Sequence, residues 1–360
     1  MRKILLSISL LFTSLCETQQ VRISAYISDH GQTRAISVDS RLAAKYLGQS
    51  LDEQTRQLLA GFDKKELSQQ NLIQLARQTS LDFATLYFSE RLGKTGRNRQ
   101  LGKEVDASVN RLRLDHRLRL KPRKDIKIAF VPGLFYKMKP ETGGDFARQR
   151  SLLKKQGFNV DLIHTIEVAP IEVNGRIIAD YIRQNHHHKL VLISASKGGP
   201  DVAYALGNLL SSADVSHVKA WVSVGGALYG SPLADKHMRF PHDLWVAALQ
   251  YFSGYEACKT VRSLSVPASR QRMKKAKFPP HVFILQYVAV PLSGTVSEEM
   301  RDPFEQLADH GPSDGIILLA DSLLPGAHSV IAAGLDHRFK DSEIDIKTLA
   351  LAEVVMKRMR

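Results

Sequence analysis

The sequence predicts an α/β protein: a doubly wound, mostly parallel sheet over residues 121–360, preceded by a mainly helical extension over residues 17–120. Three observations carry that prediction. Continuous apolar runs of strand length recur after Lys121, at Ile126–Val131, Phe158–Ile163, Leu190–Ile193, Val218–Val224, Val282–Val290 and Ile316–Leu319. Amphipathic segments of helical length, Phe146–Gln156, Ile171–Gln184 and Asp201–Leu210, separate the first four runs. Strands that are apolar on both faces and joined through helices belong to a parallel sheet covered on both sides. Lastly, 360 residues with 44% hydrophobic and 24% charged content supply ample core, while ordinary Gly and Pro usage excludes collagen-like and low-complexity classes.

The chain opens on Met1-Arg2-Lys3, a short basic stretch, followed by the apolar run Ile4–Leu15. That run is too short to span a bilayer and has the form of a secretory signal. Residues 1–16 are therefore expected to direct export to the periplasm or the medium, with a lipoprotein anchored at Cys16 as the alternative. Two cysteines, Cys16 and Cys258, exclude a disulfide framework and a cysteine-based zinc cluster. Between Gln20 and Ser40 a weak alternation predicts a short hairpin. Asp39-Ser40 then opens a helical stretch, and apolar residues recur at helical spacing through Leu92. Residues 40–105 carry no recognisable motif and read as packing scaffold. Arg111–Leu120 alternates Arg and Leu strictly, which predicts a strand or tight hairpin with one basic, solvated side.

In a doubly wound sheet, sites form at the carboxyl ends of the strands. The sharpest turn there is Ser194-Ala195-Ser196-Lys197-Gly198, between an apolar strand and a helix. A serine nucleophile on a strained strand-to-helix turn needs small residues two before and two after it, so that strand and helix can approach closely. Ser194 and Gly198 meet that need, which puts Ser196 in register. Such a serine requires a base and an acid that orients the base, arriving in the chain order Ser, acid, His. Asp314 lies in the Gly/Pro loop Gly311–Gly315, and His337 lies before the last helix, Ile346–Met359. Asp309 and Asp321 are alternative acids, and His310 and His328 alternative bases. An oxyanion would be held by backbone N–H groups. One comes from Lys197, next after the nucleophile, and the second from Leu134 (or Phe135) in Pro132-Gly133-Leu134-Phe135, which ends the first strand.

Together, Val131–Phe135, Ser194–Gly199, Trp221–Asp235, Ser313–Gly315 and Leu335–His337 resemble the α/β-hydrolase superfamily, and within it bacterial lipases and esterases. The resemblance covers about residues 121–340. It implies the α/β-hydrolase fold and ester hydrolysis through Ser196, Asp314 and His337, with no cofactor and no metal. Two departures stand out: the His-Gly pair usual at the oxyanion strand is replaced by Pro132-Gly133, and the leading elbow glycine by Ser194. The same triad would serve an acyltransferase or thioesterase, and a catalytically silent fold that binds an envelope component is a further alternative.

The insertion at about 236–280 is expected to form a lid. Its first half is aromatic and apolar, from Phe240 to Tyr255; its second half carries Lys259, Arg262, Arg270, Arg272, Lys274, Lys275 and Lys277, with no acid between Ala257 and Ser297. With 50 Lys and Arg against 36 Asp and Glu, the chain carries a formal charge of +14. Such a surplus favours anionic partners. The expected partners are a small-molecule or lipid ester and an anionic membrane surface. Nucleic acid is not expected, because no aromatic residues are interleaved with the arginines. His186-His187-His188 reads as a surface turn, since neighbouring residues of one element cannot all face a single metal.

Overall fold

The structure, a computed structural model, describes residues 23–29, 32–115, 119–239 and 257–359. Residues 1–16 and the aromatic half of the insertion, Phe240 to Tyr255, lie outside the described residues. At the N-terminus, β1 (Ile23–Asp29) and β2 (Gln32–Val38) form the expected antiparallel hairpin. Four helices follow: α1 (Arg41–Leu47), α2 (Glu53–Asp63), α3 (Gln69–Gln78) and α4 (Leu81–Lys94). Each starts on a polar cap, Ser40, Asp52, Ser68 and Ser80, whose side chain accepts from a backbone N–H of the first turn. Such a cap satisfies a donor that the helix leaves open.

The run Arg111–Leu114 is not a strand. It closes the nineteen-residue helix α5 (Gly96–Leu114). Leu101, Val105, Val109 and Leu112, spaced four, four and three apart, are all buried, and that helical stripe outweighs a local Arg-Leu alternation. Arg111 reaches Glu353 of the last helix at 2.7 Å, and Arg113 reaches Glu343 at that helix's N-cap at 2.6 Å. Residues 116–118 lie outside the described residues.

The main sheet is six-stranded and wholly parallel, in the order β4-β3-β5-β6-β7-β8. Its strands are β3 (Ile126–Val131), β4 (Asn159–Leu162), β5 (Lys189–Ala195), β6 (Val218–Val224), β7 (Phe283–Val290) and β8 (His328–Ala333). Five match the apolar runs of the sequence; the sixth does not. Ile316–Leu319 is a turn, because the Asp314 carboxylate accepts from the N–H groups of Ile316 and Ile317 at 2.9 and 2.8 Å and takes them out of any ladder. The last strand is instead His328–Ala333, a short segment that begins on His and Ser.

Helices cover both faces. On one lie α5, α6 (Ala147–Lys155) and α13 (Ile344–Arg358), over a core that includes Ile128, Phe130, Val191, Val222 and Leu349. On the other lie α7 (Ile171–Gln184), α8 (Gly198–Tyr204) with its π-helical continuation Ala205–Leu209, and α11 (Val266–Lys275), over Val131, Leu192 and Trp221. The N-terminal helices join the sheet through a third core, in which Phe83 and Phe88 meet Val288 and Val290 of β7. Helices α9 (Pro232–Arg239), α10 (Ala257–Ser263) and α12 (Glu298–Leu307) lie around the carboxyl end of the sheet.

Candidate active site

β5 delivers Ser196 into a turn with φ of +48°, a conformation that side-chain-bearing residues adopt only under strain. The turn is held from both sides: Ser196 donates its N–H to Val224 O at 3.0 Å and accepts from Gly199 and Ala227. Gly198 is required by packing, since a Cβ there would meet the carbonyl oxygens of Pro132 and Val131 at 2.7 and 2.8 Å. At the other small position, Ser194 is fully buried and its hydroxyl accepts from the Trp221 indole N–H of β6 at 2.9 Å. Serine in place of the leading glycine thus has a structural partner across the sheet.

The structure brings Ser196, Asp314 and His337 together. His337 Nε2 lies 2.9 Å from Ser196 Oγ, and His337 Nδ1 lies 2.8 Å from Asp314 Oδ2. Asp314 is buried, and its other oxygen is saturated by the two N–H groups of its own turn. The His337 backbone N–H also donates to Asp314 O at 2.8 Å, which ties the two loops together. None of the alternatives reaches this point. His310 and Asp309 are exposed in a short 3₁₀ helix, the His328 ring meets Phe283 at a tilt at the far end of β8, and Asp321 pairs with Arg270.

Gly133 lies against Ser196: a Cβ on it would stand 3.5 Å from the serine Cβ. The loop carrying Leu134 therefore flanks Ser196, and the backbone N–H groups of Leu134 and Lys197 donate to no other group among the described residues. The Lys197 side chain does something the sequence did not reveal. It turns inward, 3% exposed, and its ammonium contacts both Asp201 oxygens at 2.9 Å. Asp201 also accepts from Asn174 of α7 at 3.1 Å. Burial pushes the Asp201 carboxyl up, against the opposing pull of Lys197. One ion pair thus clamps the elbow to the helix it starts. A lysine four residues before an aspartate on a helix start was the available signal.

Arg272 and Arg270, counted in the sequence as part of a basic face, are engaged. Arg272 is half-buried and pairs with Glu172 of α7 at 3.2 Å, and Arg270 meets Asp321 at 3.4 Å. Lys274, Lys275 and Lys277 are exposed. In a turn, His187 meets His186 edge to face and His188 at a tilt, and no metal-ligating cluster occurs among the described residues.

A cavity of about 1200 Å³ opens on Ser196 and His337. As a sealed void it would cost roughly 30 kcal/mol at ~24 cal/mol per Å³, more than a folded domain's whole stability. It is therefore continuous with solvent at its mouth. Its wall includes the apolar side chains Leu233, Ala234, Val261, Leu264, Met300 and Ile316, from α9, α10 and the residue after it, α12 and the Asp314 turn, together with Ser231 and His237.

A solved metagenomic carboxyl esterase superposes on this chain with a TM-score of 0.53, at 22% identity, over 65% of this chain and 76% of that one. The mature form of a Bacillus licheniformis lipase does so with a TM-score of 0.50, at 21% identity, over 65% and 92%. The chain has the α/β-hydrolase fold. Ser196 lies in the turn after β5, Asp314 in the loop between α12 and β8, and His337 after β8. No protein-family model matches the sequence, and no curated protein does.

Proposed function

We propose that this α/β-hydrolase-fold protein is a serine hydrolase of carboxylic esters. One observation carries the reading: the hydrogen-bonded line Asp314–His337–Ser196, with its 2.8 and 2.9 Å contacts, opening onto an apolar cavity. Ser196 Oγ attacks the ester carbonyl carbon while its proton passes to His337 Nε2. The carbonyl oxygen, now negative, is held by the N–H groups of Lys197 and Leu134. On collapse, the bond from carbon to the alcohol oxygen breaks, and the alcohol leaves with the proton from His337. Water then repeats the sequence on the acyl-serine, releasing the acid and restoring Ser196. Asp314 keeps His337 in the tautomer that can accept the proton, and stabilises the imidazolium.

A fluorophosphonate tests this reading directly. Ser196 Oγ should form a bond to phosphorus as fluoride leaves, and peptide mapping should find the adduct on Ser196 alone. Ser196→Ala and His337→Ala should each lower kcat for p-nitrophenyl butyrate by ~10⁴-fold or more, and Asp314→Asn by a comparable or smaller factor. An adduct on Ser194 or Cys258, or full activity in Ser196→Ala, would overturn the assignment. An acyltransferase would share the adduct, and would differ by preferring an alcohol over water as acyl acceptor.

A further inference from the structure

The cavity behind Ser196 continues down one face of the sheet. Its wall there is Ile128 and Phe130 of β3, Val191 and Ile193 of β5, and Val222 and Val224 of β6, all on the face covered by α5, α6 and α13. Ile193, Ala195 and Val224 stand on central strands of a wholly parallel sheet, yet they are only half-buried. Helices normally bury such positions completely, as Leu192 and Trp221 are buried on the opposite face. The helix layer stands off the sheet at the carboxyl ends of these strands, whereas Val191 and Val222, further back on the same face, are buried.

The facing wall is α13. Ile344, Thr348, Leu351, Ala352, Val355 and Met356 line the cavity at helical spacing. α13 runs from the mouth toward the amino ends of the strands, where Arg358 lies over the Phe283 ring at 5.9 Å. Two independent lengths agree. From Ser196 back to Val191 the strand covers about 16 Å at ~3.3 Å per residue. From Ile344 to Met356 the helix covers about 18 Å at 1.5 Å per residue. Charged side chains line the cavity in the loop after β3, at the start of α6, at Lys197 beside the serine, in the turn before α13 and on α13 as far as Lys347; beyond Lys347 no lining residue of α13 carries a charge.

We propose that this chamber takes the acyl chain of a medium- to long-chain ester, threaded between the sheet and α13 with its carbonyl carbon at Ser196. The proposal rests on the ester-hydrolase reading and adds its substrate class. Chain-length preference is then set by α13, on the face of the sheet away from α11.

The experiment compares p-nitrophenyl butyrate, octanoate and laurate, and lauryl acetate, on the full-length protein. Ala352→Phe should lower the ratio of kcat/KM for laurate over butyrate by about tenfold or more, the ~10–200-fold worth of a small change in an apolar pocket. Thr348→Phe, one turn nearer the serine, should bring the drop forward to octanoate. Lauryl acetate, long on its alcohol side, should show no such dependence. A second arm needs no turnover: Ser196→Ala protein should bind laurate by calorimetry, and adding Ala352→Phe should weaken that binding by about the same factor. Should Ala352→Phe fail to fold, Thr348→Phe carries both comparisons. An unchanged ratio, absent laurate binding, or a drop confined to lauryl acetate would overturn the chamber assignment. If butyrate is inert and Ser196 unlabelled while laurate binding still responds to Ala352→Phe, the hydrolase reading falls and the chamber stands.

Discussion

Lys197→Met is the perturbation that most directly weighs the clamp under the nucleophile. The substitution keeps most of the side chain's bulk but leaves the Asp201 carboxylate, 1% exposed, without the ammonium that now lies 2.9 Å from both of its oxygens. Removing one partner of a buried pair typically costs ~3–5 kcal/mol. At roughly 2–4 °C per kcal/mol for a chain of a few hundred residues, the unfolding temperature should fall by about 10 °C. Lys197→Met/Asp201→Leu should recover most of that loss, because an uncharged pair of similar volume needs no ion pairing. About 1 kcal/mol should remain lost for the Asn174 N–H that no longer has its acceptor. The assay is differential scanning calorimetry at pH 5 and pH 8, alongside the rate of fluorophosphonate labelling. In Lys197→Met the folded state holds a proton on Asp201 more tightly than the unfolded chain does, so its stability falls as pH rises and the gap to the native protein widens from pH 5 to pH 8. Unchanged unfolding temperature in Lys197→Met, or a double variant as unstable as the single one, would refute the argument that this pair clamps the elbow.

Three other outcomes are expected. Burial and the neighbouring Asp39 carboxylate raise Asp82 to about 6, so the folded state keeps a proton there that the unfolded chain has released. Stability should fall by about 3 kcal/mol as pH rises from about 4 to about 6, and urea titrations should show Asp82→Asn lacking that slope; an identical slope would remove Asp82 as its source. Changing Lys274, Lys275 and Lys277 to Glu should weaken binding to anionic vesicles at low salt, at about 1 kcal/mol per residue near the surface, and vesicle binding that ignores both lipid charge and these changes would reduce the segment to a solvated face. Protein recovered from its native cells should lack residues 1–16 by mass spectrometry; an intact Met1 would refute export, and a lipidated Cys16 would favour the anchored alternative.

What the sequence made legible is what local pattern determines. Ile126–Val131 and Val218–Val224 are strands because they are apolar on both faces, and Ile171–Gln184 is a helix because its apolar residues repeat at helical spacing. Ser196, Asp314 and His337, remote in sequence, could be picked out as candidates from a chain order and a turn type, and their side chains lie within hydrogen-bonding distance of one another. The failures share a physical cause. Arg111–Leu114 alternates locally but belongs to a stripe set by Leu101 and Val105 upstream. Ile316–Leu319 is apolar enough for a strand, yet one carboxylate captures its N–H groups. The Ser194–Trp221 bond and the burial of Lys197 depend on which strands and helices meet, and no window of sequence contains that. The standing-off of α13 left a faint trace: its apolar residues spread over more than one face of the helix, as expected where a helix meets a core on one side and a cavity on the other.

The two faces of the sheet divide the work that an ester hydrolase would need. On the α7–α8 side the elbow is fixed by a buried ion pair, an amide and close glycine contacts, an arrangement in which small changes propagate because interiors are close-packed. On the α13 side the same strands end in half-buried Ile193, Ala195 and Val224, which line the cavity. Ser196 stands at the seam between them. Rigidity is needed where the nucleophile and the oxyanion donors must hold sub-ångström geometry, and tolerance is permitted where only the length of an apolar chain is measured. If the proposed reading holds, chain-length preference would change through α13 while Ser196, Asp314 and His337 stay in place.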